Sequence, residues 1–167
     1  MDLRQTLLEE KRRRGFISLA GIERLITPEN VAAQLALRDL RPGPSSVFTI
    51  ASTARKLFAI LVLLELEHHA PNLIRERISD RLFPIHDKAD IPLFETESQR
   101  QAFFTEQWTI PPRFDRDKHL ECPTATVLPF LEKERVNNGT FGILYRVKVA
   151  DGHLHGYSSV PPTSQRP

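Results

Sequence analysis

The chain has 167 residues, a formal net charge of +2 at pH 7 and 26% charged residues. This length fits one domain of ordinary size, which can bury a core without disulfides. Because acidic and basic residues nearly cancel, the overall charge gives no argument for a nucleic-acid or membrane partner. We therefore expect neither partner, and local motifs have to indicate the function.

Redox and targeting features favour an intracellular compartment. Cys122 is the single cysteine, so no intramolecular disulfide can form, and a reducing compartment is expected. The charged N-terminus lacks the apolar segment of a secretory signal. The longest apolar run, residues 57–64, is shorter than the roughly 20 residues that a bilayer requires. These features predict a cytoplasmic or nuclear protein in which the apolar run is a buried helix.

The chain begins with an amphipathic helical pattern. Residues 2–14 place leucines on one face among charged residues, and Gly15 ends the helix. The basic run at residues 11–14 is interpreted as the solvated C-terminal end of this helix, where the helix dipole favours cations. A nuclear import signal and a phosphate-binding patch are the functional alternatives for this run.

A second helix is predicted from residue 28 onwards. Thr27 is a typical N-cap, Pro28 suits the first helical position, and the apolar pattern ends near residues 38–40. Residues 41–46 contain two prolines and a glycine, which interrupt helices and strands. This segment is the predicted linker.

Three further helices complete the predicted helical body. One of them is a short helix that starts at Pro71-Asn72, and Pro84 closes that region. Ser52 or Thr53 can cap a long helix that runs to about His69, and its apolar centre predicts that neighbouring elements enclose it. A later helical segment at residues 95–107 is stopped by prolines at 111 and 112.

The pattern changes to that of strands after residue 112. Residues 126–131 and 141–149 are rich in β-branched, aromatic and other apolar residues. Between them, Asn137-Asn138-Gly139 is typical of a tight turn, because these residues tolerate positive φ angles. A β-hairpin over residues 131–149 is therefore predicted.

Together the elements predict an α+β fold, with a mainly helical body followed by a small antiparallel β-hairpin. The helical body is assigned to residues 1–112, the antiparallel sheet to residues 113–150 and a disordered tail to residues 151–167. A sheet this small has unpaired edges. We therefore expect it to bind a partner, to associate with itself or to fray.

The turn of the hairpin carries the most informative motif. Residues 139–147 resemble the glycine-rich loop of protein kinases, in which glycines and an aromatic tip cover the nucleotide phosphates. Glycine suits this role because its backbone N–H can approach a phosphate oxygen without obstruction by a Cβ. One position departs from the pattern, since Asn137 stands where the first glycine is expected. The alternative is that Asn138-Gly139 only turns the hairpin. The residues that the resemblance makes candidates for nucleotide binding are Val136, Gly139, Thr140, Phe141, Gly142 and Leu144.

Segments ahead of the hairpin extend the resemblance. Their order is similar to the region that precedes the kinase domain in fungal protein-kinase-like proteins, over roughly residues 45–155. The segments are residues 51–62, 90–94, 103–108 and 127–130. The resemblance implies kinship with a fungal Ser/Thr protein-kinase-like protein whose ligands are ATP and Mg²⁺.

Catalysis in that family requires further residues. These are a lysine on the third strand, an H-R-D loop and a D-F-G aspartate, and Lys148 follows the glycine loop too closely to be that lysine. The resemblance therefore implies an N-terminal fragment or remnant with no catalytic residue and at most a vestigial phosphate site. The alternative function is a non-catalytic helical module that binds a protein partner through residues 1–112 or through the exposed sheet edge.

The histidines do not indicate a metal site. His153 and His155 alternate, and His68 and His69 are adjacent, but a zinc site needs three or four converging ligands. We expect these histidines to face solvent in loops, and no metal is predicted. Nor does any serine lie in a nucleophile elbow, so nucleophilic catalysis is not predicted.

Overall fold

A computed structural model describes residues 2–86, 93–124, 126–139 and 142–157. Over these residues the fold is α+β, as the sequence predicts, and seven α-helices precede four strands. The helices are α1 (Leu3–Arg14), α2 (Leu19–Leu25), α3 (Pro28–Ala36), α4 (Pro44–Thr53), α5 (Arg55–Leu63), α6 (Ala70–Arg75) and α7 (Glu97–Glu106). The strands are β1 (Phe114–Asp115), β2 (Phe130–Gly139), β3 (Gly142–Val149) and β4 (Leu154–His155).

Helix α5 lies at the centre of the helical body. Every side chain from Leu57 to Val62 is fully buried, and α1, α2, α4 and α7 all contact this helix. Because the segment has no polar side chain, each of its faces has to be covered. Burying one large aliphatic or aromatic side chain stabilises the fold by roughly 1.5–3 kcal/mol. The apolar run is therefore the buried helix that the sequence predicts.

The start of α5 differs from the sequence prediction. Instead of one long helix from Ser52 or Thr53, the structure has α4 and α5, which meet at an angle of 99°. The hydroxyls of Ser52 and Thr53 donate to carbonyl oxygens within α4. The cap of α5 is Asp80, whose carboxylate accepts from the N–H of Lys56 at 3.0 Å and of Leu57 at 3.2 Å. Burial raises the pKa of Asp80, although these hydrogen bonds oppose the shift.

Local capping signals place the other helices more accurately. Thr27 caps α3 with Pro28 at its first turn, and Gly15 ends α1 with a φ angle of 77°, both as predicted. Helix α2 is not predicted, yet Ser18 is its cap and accepts from a backbone N–H of the first turn. The linker is shorter than predicted, because α4 begins directly after its cap residue Gly43.

Three helices end in the same hydrogen-bonded turn. After α3, α5 and α6, the residues Asp39, Glu65 and Arg77 adopt positive φ angles of 57°, 59° and 54°. The residue after each of them donates its N–H to the carbonyl five positions back, in the pairs Leu40 to Leu35, Leu66 to Leu61 and Ile78 to Leu73. This is the Schellman arrangement, and it folds an apolar residue back onto its own helix.

The strands form two separate two-stranded sheets. Strands β2 and β3 pair in antiparallel fashion, which confirms the predicted hairpin, whereas β1 and β4 pair in parallel. Residues 151–157 differ from the predicted tail, because β4 lies among them and His153 is fully buried. This segment is therefore part of the fold. Residues 158–167, which the prediction also assigned to the tail, lie outside the described residues.

The first testable prediction concerns the turn after α6. Replacing Arg77 by glycine is expected to raise the free energy of unfolding by about 0.5–1 kcal/mol, because glycine adopts a positive φ angle without the steric cost that arginine has. Urea denaturation measures the change. As a control, Arg75→Gly in the last turn of α6 is expected to lower the same free energy by about 1 kcal/mol. A loss of stability in both variants would contradict the assigned turn.

Candidate functional site

Four of the candidate nucleotide-binding residues, Val136, Gly139, Gly142 and Leu144, lie in the distal half of the β2–β3 hairpin. Gly139 and Gly142 are partners at the last position of the ladder, so the strands are paired up to the tip. The two residues between them, Thr140 and Phe141, lie outside the described residues. The register thus brings the two glycines of the motif opposite each other.

A β-bulge lies just below the tip. Arg135 pairs with Tyr145, but the next pair is Asn137 with Leu144, so Val136 is an extra residue of β2. Val136 and Leu144 are consequently neighbours across the hairpin, and they are 48% and 62% exposed. A bulge redirects side chains and increases the local twist. The two apolar candidates are therefore adjacent and accessible to a ligand, and nothing in the sequence signals the bulge that places them so.

Opposite charges face each other nearer the base of the hairpin. Lys148 Nζ lies 2.8 Å from Glu132 Oε1, and Arg146 Nη1 lies 3.5 Å from Glu134 Oε2. The hydrogen bond with Glu132 raises the pKa of Lys148. Opposite charges that face each other across antiparallel strands favour the pairing of those strands, although solvent screens such exposed pairs. Lys148 is thus engaged by a carboxylate of its own hairpin.

The base of the hairpin packs against the β1–β4 sheet. The rings of Phe130 and Phe114 stack with centroids 6.2 Å apart. A cavity of about 370 Å³ lies between the two sheets. Its apolar lining includes Phe114, Leu120, Phe130, Val147, Val149 and Leu154. Towards the tip, Ile143 and Tyr145 are 52% and 40% exposed, so the hairpin is anchored at its base and exposed at its distal end.

His153 joins the segment after the hairpin to the helical body. Its Nε2 accepts from the N–H of Leu19 at 3.0 Å, and its Nδ1 lies 2.9 Å from the carbonyl oxygen of Pro112. Because a carbonyl only accepts, Nδ1 carries the proton and the neutral ring satisfies both partners. Burial lowers the pKa of His153. The prediction of a solvent-facing histidine is wrong here and also at His69, which is 2% exposed. The spacing of histidines along the sequence contains no information on their burial.

Two partly buried ionisable side chains lie together on the helical body. Lys56 and Asp80 lie at the start of α5, where the carboxylate is used as the helix cap. Burial lowers the pKa of Lys56, and its ammonium lies 5.1 Å from the centre of the Phe83 ring. This pair serves the packing of α5. In the part of the chain that the structure describes, no acid, base or nucleophile is assembled at the exposed end of the hairpin.

Comparisons with known proteins give no assignment. The chain matches no protein-family model, no curated protein and no solved structure. Among the described residues, no group of three or more His, Cys, Asp and Glu side chains is arranged to hold a metal ion. Within the same residues no single helix has the length and apolar character to cross a membrane; α4 and α5 reach both only as a bent pair. The candidate site therefore has to be evaluated on its own geometry.

The second prediction uses the lowered pKa of His153. A buried neutral histidine stabilises the fold fully above its unfolded pKa of about 6.5, and this contribution is lost as the pH falls from there through the folded-state pKa. Replacing it with glutamine should therefore cost the most stability at about pH 7.5 and much less at about pH 5. Denaturation of both proteins across this pH range measures the difference.

The control for this prediction is His119→Gln, because His119 is exposed and lies in a different loop. Its effect on the free energy of unfolding should be small at every pH. If the difference between the native chain and His153→Gln stayed constant with pH, the neutral buried form of His153 would be refuted.

Proposed function

We propose that residues 130–149 are the glycine-rich hairpin of a protein-kinase-like fold and that this hairpin contacts the phosphates of Mg-ATP. The observation that carries the proposal is the hairpin register, in which Gly139 faces Gly142 at the tip. A phosphate-covering loop needs two strands that end together at glycines. The hairpin satisfies that requirement.

The apolar neighbours of the tip support the same function. Val136 and Leu144 lie next to each other two ladder positions below the glycines and are exposed. In the family that the sequence resembles, a valine at the position of Leu144 covers the adenine ring, and Val136 matches the apolar residue that precedes the loop. A purine can stack on two such side chains while its phosphates extend towards the tip, where backbone N–H groups are the available donors.

The proposed role is binding without phosphoryl transfer. The sequence contains neither an H-R-D loop nor a D-F-G motif, and Lys148 is paired with Glu132 within the hairpin. We therefore propose that the chain is related to fungal Ser/Thr protein-kinase-like proteins, and that by itself it does not phosphorylate a substrate. Its affinity for Mg-ATP should be weak, because the exposed hairpin offers the nucleotide contacts on one side only among the described residues and the loss of translational and rotational freedom opposes binding.

The third prediction tests nucleotide binding by the hairpin. Calorimetric titration of the purified chain with Mg-ATP should show binding that is lost in the Gly139→Val, Gly142→Val double variant, since two added side chains would keep phosphate oxygens away from the backbone. Leu144→Glu is a second variant. This substitution changes a side chain that is already exposed, so the hairpin should keep its fold. The added negative charge should repel the nucleotide.

Two controls make the titration decisive. Ile143→Val changes an exposed neighbour of the glycine without adding bulk at the tip, and it should bind as the native chain does. Amide spectra of each variant report whether the hairpin ladder is intact. No heat of binding up to millimolar Mg-ATP in the native chain would overturn the nucleotide proposal.

A second candidate function is a non-catalytic protein-interaction module. The observation that favours it is an apolar groove of about 430 Å³ on the helical body. The groove lies between α3, α4 and α6 and shares no residue with the hairpin. It therefore supports protein binding independently of any nucleotide.

A further inference from the structure

The apolar groove is formed by parts of three helices and the connection between two of them. Its floor is the core itself, since Leu35 and Ile50 are 0% and 1% exposed. Its volume of about 430 Å³ falls within the range of roughly 300–1,000 Å³ that is usual for ligand pockets. The residues that line it are Leu35, Leu40, Arg41, Pro42, Ser46, Ile50, Pro71, Ile74 and Arg75.

The end of α3 explains why the groove is open and apolar. The left-handed turn at Asp39 returns the chain so that Leu40 donates its N–H to the carbonyl of Leu35, and the side chain of Leu40 is itself only partly buried. Pro42 then leads into α4, and Pro71 lies in the first turn of α6. Prolines have no N–H to donate. The walls consequently present carbon surface with few hydrogen-bonding groups.

The rim of the groove is basic. Arg41 is exposed and has no ion pair among the described residues, and Arg75 contacts only the carboxylate of the adjacent Glu76, at 2.8 Å. Both members of that pair are solvent-accessible. An exposed pair of this kind contributes about 0–1 kcal/mol, so Arg75 can exchange its partner for another carboxylate at little cost. The groove thus combines an apolar floor with two arginines that are available to an anionic partner.

We propose that this groove binds an acidic peptide segment of a partner protein, with one bulky apolar side chain on the floor and carboxylates at Arg41 and Arg75. The inference rests on the second candidate function and is independent of nucleotide binding. Charge complementarity selects the occupant: arginines pair strongly with carboxylates in forked geometry, and the floor needs an apolar anchor. A basic or purely polar peptide would satisfy only part of the site.

The experiment uses the full chain with isotope-labelled methyl groups and two synthetic peptides of about 12 residues. Each peptide has a central leucine pair, flanked in one by glutamates and in the other by lysines. The acidic peptide is expected to shift the methyl signals of Leu35, Ile50 and Ile74, and the basic peptide is expected not to. Equal binding of both peptides, or shifts confined to the hairpin, would overturn the proposal.

Matched variants then test the two parts of the site separately. The double variant Arg41→Glu, Arg75→Glu should weaken the acidic peptide about tenfold or more, whereas Arg12→Glu, which makes one such charge reversal on α1, should not. Ser46→Phe fills the groove from a half-buried position of α4 and should abolish binding while the other methyl signals stay in place. Unchanged affinity in either groove variant would contradict the proposed location.

Two further outcomes separate this inference from its alternatives. Methyl shifts at the groove that grow with protein concentration in the absence of peptide would mean that a second copy of the chain is the occupant, and would overturn the proposal. The Gly139→Val, Gly142→Val variant should bind the acidic peptide normally. Loss of peptide binding in that variant would place the site at the hairpin and not at the groove.

Discussion

The structure depends above all on the burial of α5. A helix whose side chains from Leu57 to Val62 are all inaccessible to water requires cover on every side, and α1, α2, α4 and α7 provide it. Its first N–H groups also have to be satisfied in a dry environment, since an unpaired buried donor costs roughly 1–3 kcal/mol. Asp80 satisfies them from a distant segment, so the central helix fixes both the arrangement of the other helices and the path of the chain between them.

The same packing determines where ligands can bind. The helices that cover α5 bury their apolar faces in the core. The open apolar groove lies at the periphery, where α3, α4 and α6 meet around a turn that leaves Leu40 partly exposed. The hairpin lies outside this core. The stacked rings of Phe114 and Phe130 attach its base to the β1–β4 sheet, and the hydrogen bonds of His153 attach the segment after it to the helical body. Two surfaces therefore remain available, and they are structurally independent of each other.

Sequence patterns predict the features of this fold that are governed by near neighbours. The cap at Thr27 and the glycine stop at residue 15 act within a few residues, and the structure has a helix start and a helix end at these places. The Asn-Gly pattern predicts the hairpin correctly but not its turn, because residues 137–139 belong to β2 and pair with β3 as far as Gly139 and Gly142. The break before α5 depends on the carboxylate of Asp80, which accepts a hydrogen bond from the N–H of Lys56, 24 positions earlier in the chain. The bulge at Val136 and the burial of His153 likewise arise from pairing and packing at long range, so no local pattern reveals them. The groove is missed for the same reason, because three helices have to assemble before it exists.

The lower and upper halves of the hairpin differ in their contacts. This difference bears on whether the tip has a structural or a functional role. An isolated two-stranded hairpin is only marginally stable in water, so this one needs anchorage, and its aromatic contacts and ion pairs lie in its lower half. The upper half contributes less to stability, since Ile143 and Leu144 are mostly exposed. Single exposed apolar residues are common on folded proteins, so their exposure alone does not indicate a ligand. The feature that distinguishes the distal hairpin is the bulge, which brings the exposed Val136 beside the exposed Leu144 just below two paired glycines.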